Sequence, residues 1–268
     1  MERIPICLLT STSKRHAYLA HRLREHFDLA LIVREEKGIR RHYAGHPDRR
    51  LIEDHFQRLA RTEELFFGEY EWGQLDTDIQ TVPWGGLNTE DQAARIRQAT
   101  PRAVAVFGCG IIKPPVLNVL PQNRTFNIHQ GLSPYYRGGA TNFWPFVEGN
   151  LHHIGVTLHL IDAGIDTGGI LAHGRPEIND EDTQHSLGCK TIQVSADLMI
   201  RALKSVENGE RLDAIPQWRK GILHTRKELD GAAIQTVRER ERSGYVREFL
   251  RSRSRGEISP LQLITLDP

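Results

Sequence analysis

Residues 126–139 read FNIHQGLSPYYRGG. A short apolar run that breaks at once into Gly, Ser, Pro and Arg reads as the carboxyl end of a buried strand opening into a loop. Asn127 and His129 alternate with Ile128, so in a strand the amide and the imidazole share one face and Ile128 takes the other. An amide can donate to a developing oxyanion, and an imidazole exchanges a proton near neutral pH. The spacing alone fits two readings, a strand end with polar neighbours or the edge of an active site. The rest of the chain has to decide between them.

Outward from this stretch, short apolar runs alternate with helical patterns. IPICLL (4–9), LALIV (29–33), DIQTVPW (78–84), AVAVFG (103–108), TFNIH (125–129), IGVTLHLID (154–162) and GILAHGRPEI (169–178) read as strands. Helices are expected over 14–27, 51–67, 88–100 and 183–209, with 38–50 as a loop. Asn88 is the expected N-cap of the third helix, and Gly209 closes the fourth. Strand–helix alternation with near-continuous apolar strands predicts an α/β fold, a Rossmann-like, mainly parallel sheet covered on both faces. In such sheets ligands sit beyond the carboxyl ends of the strands, where FGCG (107–110) and NIHQG (127–131) fall. The pattern changes near Gly209. The expected division is a catalytic domain over 1–209 and a small C-terminal extension over 210–268.

The 268 residues suffice for a sizeable core, and 39% apolar with 26% charged residues is ordinary globular composition. A net charge of +1 argues against a dedicated nucleic-acid or membrane-surface protein, and no apolar run is long enough to span a bilayer. Cys7, Cys109 and Cys189 are scattered and form no CxxC pair, so neither a disulfide framework nor a zinc site is indicated. The N-terminus lacks a signal-peptide pattern, and a cytoplasmic location is expected. LHHIG (151–155) imitates a metal site but lacks ligands at suitable spacing, so no metal is expected.

A carboxylate partner for His129 is on offer in IDAGIDTGG (161–169), which contains Asp162 and Asp166. Aspartates in Gly-rich loops are also common turn formers. No GxSxG elbow is present, nor a GxGxxG or GxxxxGK[ST] phosphate loop.

Taken together, FNIHQGLSPYYRGGATNFWPFVEGN (126–150) and GVTLHLIDAGIDTGGIL (155–171) resemble the core of the folate-dependent formyltransferases. That family contains glycinamide-ribonucleotide, methionyl-tRNA and sugar-nucleotide N-formyltransferases. Asn-x-His, a Ser-Pro-x-x-Arg-Gly loop, Gly-Val-Thr and Asp-x-Gly-x-Asp-x-Gly occur in the family's order. The resemblance implies 10-formyltetrahydrofolate as formyl donor and a primary amine as acceptor, with Asn127, His129 and Asp166 matching the catalytic trio. It implies donor binding between the loop with Phe107, Gly108, Gly110 and Ile112 and the loop with Asp162 and Gly164. Ser133, Arg137 and Gly138 are expected to shape the acceptor entrance.

The resemblance also sets limits. The phosphate-binding first loop of the purine-pathway members is replaced here by LTSTSKRH (9–16), which has no glycine. Ser11, Ser13 and Lys14 could meet a phosphate there or simply cap a helix. The tail is too short for the β-barrel of tRNA-directed members. A small-molecule amine is therefore the expected partner, nucleotide-linked as in sugar-nucleotide N-formyltransferases, with no nucleic acid and no membrane. The alternatives are another small amine (an amino acid derivative, or a siderophore or antibiotic precursor), hydrolysis of the donor, or an inactive folate-binding relative. Residues 211–255 hold 12 Lys/Arg against 6 Asp/Glu, a charge more often solvated than used. LQLITL (261–266) could supply a strand to a second copy, making a homodimer an expectation to test.

Overall fold

The computed structural model describes residues 3–37, 43–225 and 228–266. Residues 38–42 of the expected 38–50 loop lie outside the described residues. A seven-stranded sheet forms the centre. It comprises β1 (Pro5–Ser11), β2 (Asp28–Glu35), β3 (Asp78–Val82), β4 (Ala103–Val106), β5 (Thr125–His129), β7 (Val156–Leu160) and β8 (Ile170–Gly174), in the order β3-β2-β1-β4-β5-β7-β8. The first five strands in that order pair in parallel, while β5–β7 and β7–β8 pair antiparallel. The parallel half follows from the crossovers: α1 (Lys14–His26), α2 (Arg49–Phe67) and α3 (Glu90–Gln98) each return the chain to the same end of the sheet. Mainly parallel pairing was legible in the sequence; the antiparallel edge was not.

Strand side chains divide between two packed faces. Phe126 and Ile128 of β5 enter the larger core, together with Met199 and Leu203 of α5 (Gln184–Glu207). Val104 and Val106 of β4 face the other way and pack with Ile96 of α3. Asn127 and His129 emerge on the face opposite Phe126 and Ile128.

Helix boundaries fall close to expectation, with one exchange of roles. Thr89, not Asn88, caps α3, its Oγ1 accepting from the Gln92 amide. Asn88 instead accepts from the Lys113 amide at 2.7 Å and donates to the Ile111 carbonyl at 2.9 Å. It ties the start of α3 to the loop after β4. Gly209, with φ of +76°, directly follows the Asn208 cap of α5, as the sequence indicated.

A second, two-stranded sheet pairs β6 (Tyr136–Gly138) in parallel with β9 (Ile222–His224). Nothing in the sequence pattern marked these three-residue strands. Beyond them, α6 (Gly231–Arg242) packs on α4 (Trp144–Glu148), and α7 (Tyr245–Ser254) follows. The LQLITL segment lies along the chain's own β8. The His173 amide donates to the Ile264 carbonyl at 2.7 Å, and the Ile264 amide donates to His173 Nδ1 at 2.9 Å. Leu266 is buried there, so in this structure the segment covers its own sheet edge. No helix among the described residues is long and apolar enough to cross a membrane.

Candidate active site

The site lies where β5 ends. β7 runs antiparallel to β5, with Asn127 opposite His159 and His129 opposite Thr157. Residue pairs directly across a ladder share a face, so His159 stands beside Asn127. Leu160 ends β7 opposite Phe126. The 161–169 loop must therefore double back along β5, and this return brings Asp166 to the two histidines. Asp166 Oδ2 is 3.4 Å from His129 Nδ1, and Oδ1 is 3.6 Å from His159 Nε2.

One backbone amide and one side-chain amide hold Asp166. The Gly138 amide donates to its Oδ2 at 3.1 Å, and Gln217 Nε2 donates to its carbonyl at 2.7 Å. Asp166 has φ of +50°. The left-handed region is unfavourable for a residue with a Cβ, though Asp tolerates it better than most. The loop is shaped by Asp162, whose carboxylate accepts from the Gly164 amide and the Thr167 hydroxyl. A Cβ on Gly164 would stand 1.9 Å from Thr167 Oγ1. Asp162 and Gly164 therefore build the loop's turn.

The protonation pattern can be read from acceptors that cannot donate. His129 Nε2 is 3.0 Å from the Tyr136 carbonyl, and Nδ1 faces the Asp166 carboxylate. Both nitrogens meet acceptors, which favours the imidazolium. Burial opposes that charge, but the Asp166 carboxylate outweighs it and holds the His129 pKa above its ordinary value. Burial likewise tends to raise the Asp166 carboxyl. The His129 charge and its hydrogen bond override it and hold Asp166 well below the usual carboxylate range. His159 differs: Nδ1 donates to the Leu160 carbonyl at 2.7 Å. Its Nε2 is left to accept from Asn127 Nδ2 at 2.9 Å, which fixes the amide's orientation.

The other expected residues are distributed unevenly. Phe107 is buried, packing against the His16 ring at 4.5 Å, and Ile112 is buried in the smaller core. Gly108 has φ of +68°, and a Cβ there would stand 2.6 Å from the His16 ring. The Gly110 amide donates to buried Glu35 at 2.7 Å. Arg137 donates to the Ile165 carbonyl at 2.9 Å. Ser133 corrects an expectation: it is fully buried, with its amide bonded to Thr157 Oγ1 and its carbonyl accepting from His173. Any part it plays in shaping the entrance is through the backbone of its loop rather than through an exposed hydroxyl. Gly138 acts through its amide, as the support for Asp166. In the first loop, Lys14 pairs with Glu71 and Glu64, Ser11 donates to the Glu35 carbonyl, and Ser13 is the N-cap residue of α1 without a side-chain cap bond. Lys14 is thus already matched by carboxylates.

Sequence reasoning missed His159, Gln217 and the Tyr136 carbonyl. A signal existed only for His159, which alternates with Thr157 as Asn127 does with His129. Among the described residues, no group of three or more His, Cys, Asp or Glu is placed to hold a metal ion.

Residues 83–203, the stretch that contains Asn127, His129, His159 and Asp166, match the family model described as formyl transferase. The resemblance first seen in the 126–171 motifs therefore holds at the family level. The chain is 33% identical over 175 residues to the methionyl-tRNA formyltransferase of Koribacter versatilis (strain Ellin345), covering 65% of this chain and 55% of that protein. It spans about half the length of the curated relatives it matches. Among solved structures, the N-formyltransferase of Helicobacter canadensis, in complex with folinic acid and dTDP-3-aminofucose, superposes with a TM-score of 0.55. That match has 18% identity and covers 87% of this chain and 79% of that one. Glycinamide ribonucleotide transformylase 1 of Symbiobacterium toebii gives a TM-score of 0.53 at 18% identity, covering 80% and 94%. These likenesses show the fold: an α/β, mainly parallel formyltransferase fold.

Proposed function

We propose that this protein is an N-formyltransferase that moves a formyl group from 10-formyltetrahydrofolate to the primary amine of a nucleotide-linked amino sugar. The observation that carries the reading is the group formed by Asn127, His129 and Asp166, an oriented amide beside a buried imidazole that faces a carboxylate. Such a group suits acyl transfer, in which negative charge develops on the formyl oxygen.

The donor, when bound, supplies an activated formyl carbon. The two loops expected to hold it each present an exposed isoleucine, Ile111 and Ile165, apolar surface that a flat ring system would cover. The amine nitrogen would attack the formyl carbon, the new C–N bond forming as the bond to the donor nitrogen breaks, and the proton the amine loses would pass to that leaving nitrogen. Asn127 donates to the developing oxyanion, and the His129 charge stabilises it. The depressed pKa of Asp166 makes it a weak base, which supports a role in tuning His129 rather than in taking the amine proton directly.

The acceptor reading draws on solved structures of similar fold. One contains dTDP-3-aminofucose, and another, from Anoxybacillus kamchatkensis, contains a UDP-linked formamido sugar. The curated relatives are named for methionyl-tRNA, so the test must include it. Purified protein is mixed with 10-formyltetrahydrofolate and a panel of nucleotide-linked amino sugars, glycinamide ribonucleotide, amino acid derivatives and methionyl-tRNA, with release of tetrahydrofolate followed by absorbance. Turnover confined to the amino sugars is expected. Turnover confined to another acceptor overturns the substrate, and release without acceptor points to a hydrolase.

A further inference from the structure

Beside the trio lies an open cavity of about 510 Å³, lined by Arg137, Thr167, Gly169, Gln217, Arg219 and Lys220 among others. It adjoins the reacting groups through two residues already described. Arg137 bonds the Ile165 carbonyl and is close enough for its charge to oppose that of His129. Gln217 holds the Asp166 carbonyl.

Three cations line this cavity, and among the described residues none has a carboxylate within ion-pair distance. That is unlike Lys14, Arg15 and Lys190, each matched by a carboxylate. The buried Nε of Arg137 has no hydrogen-bond partner, an arrangement that costs free energy unless something accepts from it. The Arg219 guanidinium lies over the Tyr135 ring, 5.3 Å from its centroid, which limits its freedom before any ligand arrives. Unneutralised cations around a concave site attract an anion of matching charge, and guanidinium groups suit phosphate oxygens in particular. The volume falls in the range of small-ligand sites.

We propose that Arg137, Arg219 and Lys220 form the subsite that holds the diphosphate of the acceptor. This rests on the acceptor reading above and adds where the phosphates sit. Lys14, in the first loop, is occupied by Glu64 and Glu71. Among the described residues, Arg137, Arg219 and Lys220 are free of such carboxylates and face the cavity beside the trio.

The test is direct binding without folate, so it does not depend on formyl transfer. UDP, dTDP, uridine and inorganic pyrophosphate are titrated by calorimetry into the wild-type protein and an Arg219→Ala/Lys220→Ala variant. Both positions are exposed, so the variant should fold, with circular dichroism as the check. UDP or dTDP should bind the wild type, weaken at higher salt, and lose about tenfold or more in the variant. Uridine should bind far more weakly. Equal nucleotide affinity in both proteins, or none in the wild type, overturns the subsite. Loss of affinity for a tRNA acceptor-stem hairpin, with none for UDP, overturns it in favour of nucleic-acid phosphate. Formyl transfer to a nucleotide-linked amino sugar with an acceptor KM unchanged in the variant would overturn the subsite while leaving the transferase reading intact.

Discussion

Asn127 donates to His159 Nε2 at 2.9 Å, across directly paired positions of β5 and β7. This bond decides which way the amide points. Had the amide turned over, its oxygen would face the lone pair of His159, and no donor would be committed to one direction. His159 is thus a positioning residue for the group proposed to meet the oxyanion.

Replacing His159 with Leu keeps the volume roughly constant and removes the acceptor. We expect kcat to fall by about tenfold to a hundredfold, as for partners that orient active-site groups, with the acceptor KM little changed. His159→Gln, which retains an acceptor, should recover part of the loss. Asn127→Ala should cost more, about a hundredfold to a thousandfold, the usual effect of losing one oxyanion donor. A Leu variant with unaltered kcat would remove His159 from the account.

Asp166 sets the charge of His129. With Asp166→Asn, burial and Arg137 remain while the opposing carboxylate is gone, so the His129 pKa should drop from above its ordinary value to below it. NMR titration of the His129 ring protons reads this directly. The stability signs follow. The raised His129 contributes fully below its unfolded pKa and loses that contribution as pH climbs through the raised value. The depressed Asp166 contributes above its unfolded pKa and loses it as pH falls toward the depressed value. The stability gap between wild type and Asp166→Asn should therefore be widest in mildly acidic to neutral solution and close toward both extremes.

Gly138 joins the two sheets. Its φ is +86°, and a Cβ would stand 2.3 Å from the His224 carbonyl. Gly138→Ala should cost at least about 2 kcal/mol, from left-handed strain plus the clash. It should also disturb His129 and Asp166, because β6 contacts both. Denaturant titration checks the stability, and the His129 titration checks the site.

The exchange of roles at the start of α3 separates two variants. Thr89→Ala should destabilise by about 1 kcal/mol through the lost cap, with donor binding intact. Asn88→Ala releases Ile111 and Lys113 instead, and should weaken folate affinity more than it lowers stability. Equal effects in both measurements would mean that the two residues do not divide the work this way.

Legibility followed periodicity. Runs such as AVAVFG and TFNIH announce buried strands because hydrophobic continuity is a local property, and the Asn127–His129 pairing was visible for the same reason. What depended on chain reversal was hidden. The antiparallel β7 makes His159 a neighbour of Asn127, yet no residue in VTLHL states its direction. Ser133 looked like a loop residue from its neighbours, and only the fold shows it beneath the loop. Gln217 reaches Asp166 from a segment whose composition reads as plain coil. The short β6 and β9 carry too few residues for any period to show.

The pairing of β6 with β9 has a consequence for when this protein becomes competent. β6 offers the Tyr136 carbonyl to His129 and the Gly138 amide to Asp166, and β9 is the strand that flanks it. During synthesis Asn127, His129 and Asp166 all emerge before Ile222–His224. The sheet and its reactive side chains can be assembled while the clamp that aligns them is still unmade. Until Ile222–His224 is made, the strand that offers both contacts has no partner of its own, so the alignment of His129 and Asp166 is completed by a segment made more than fifty residues after Asp166.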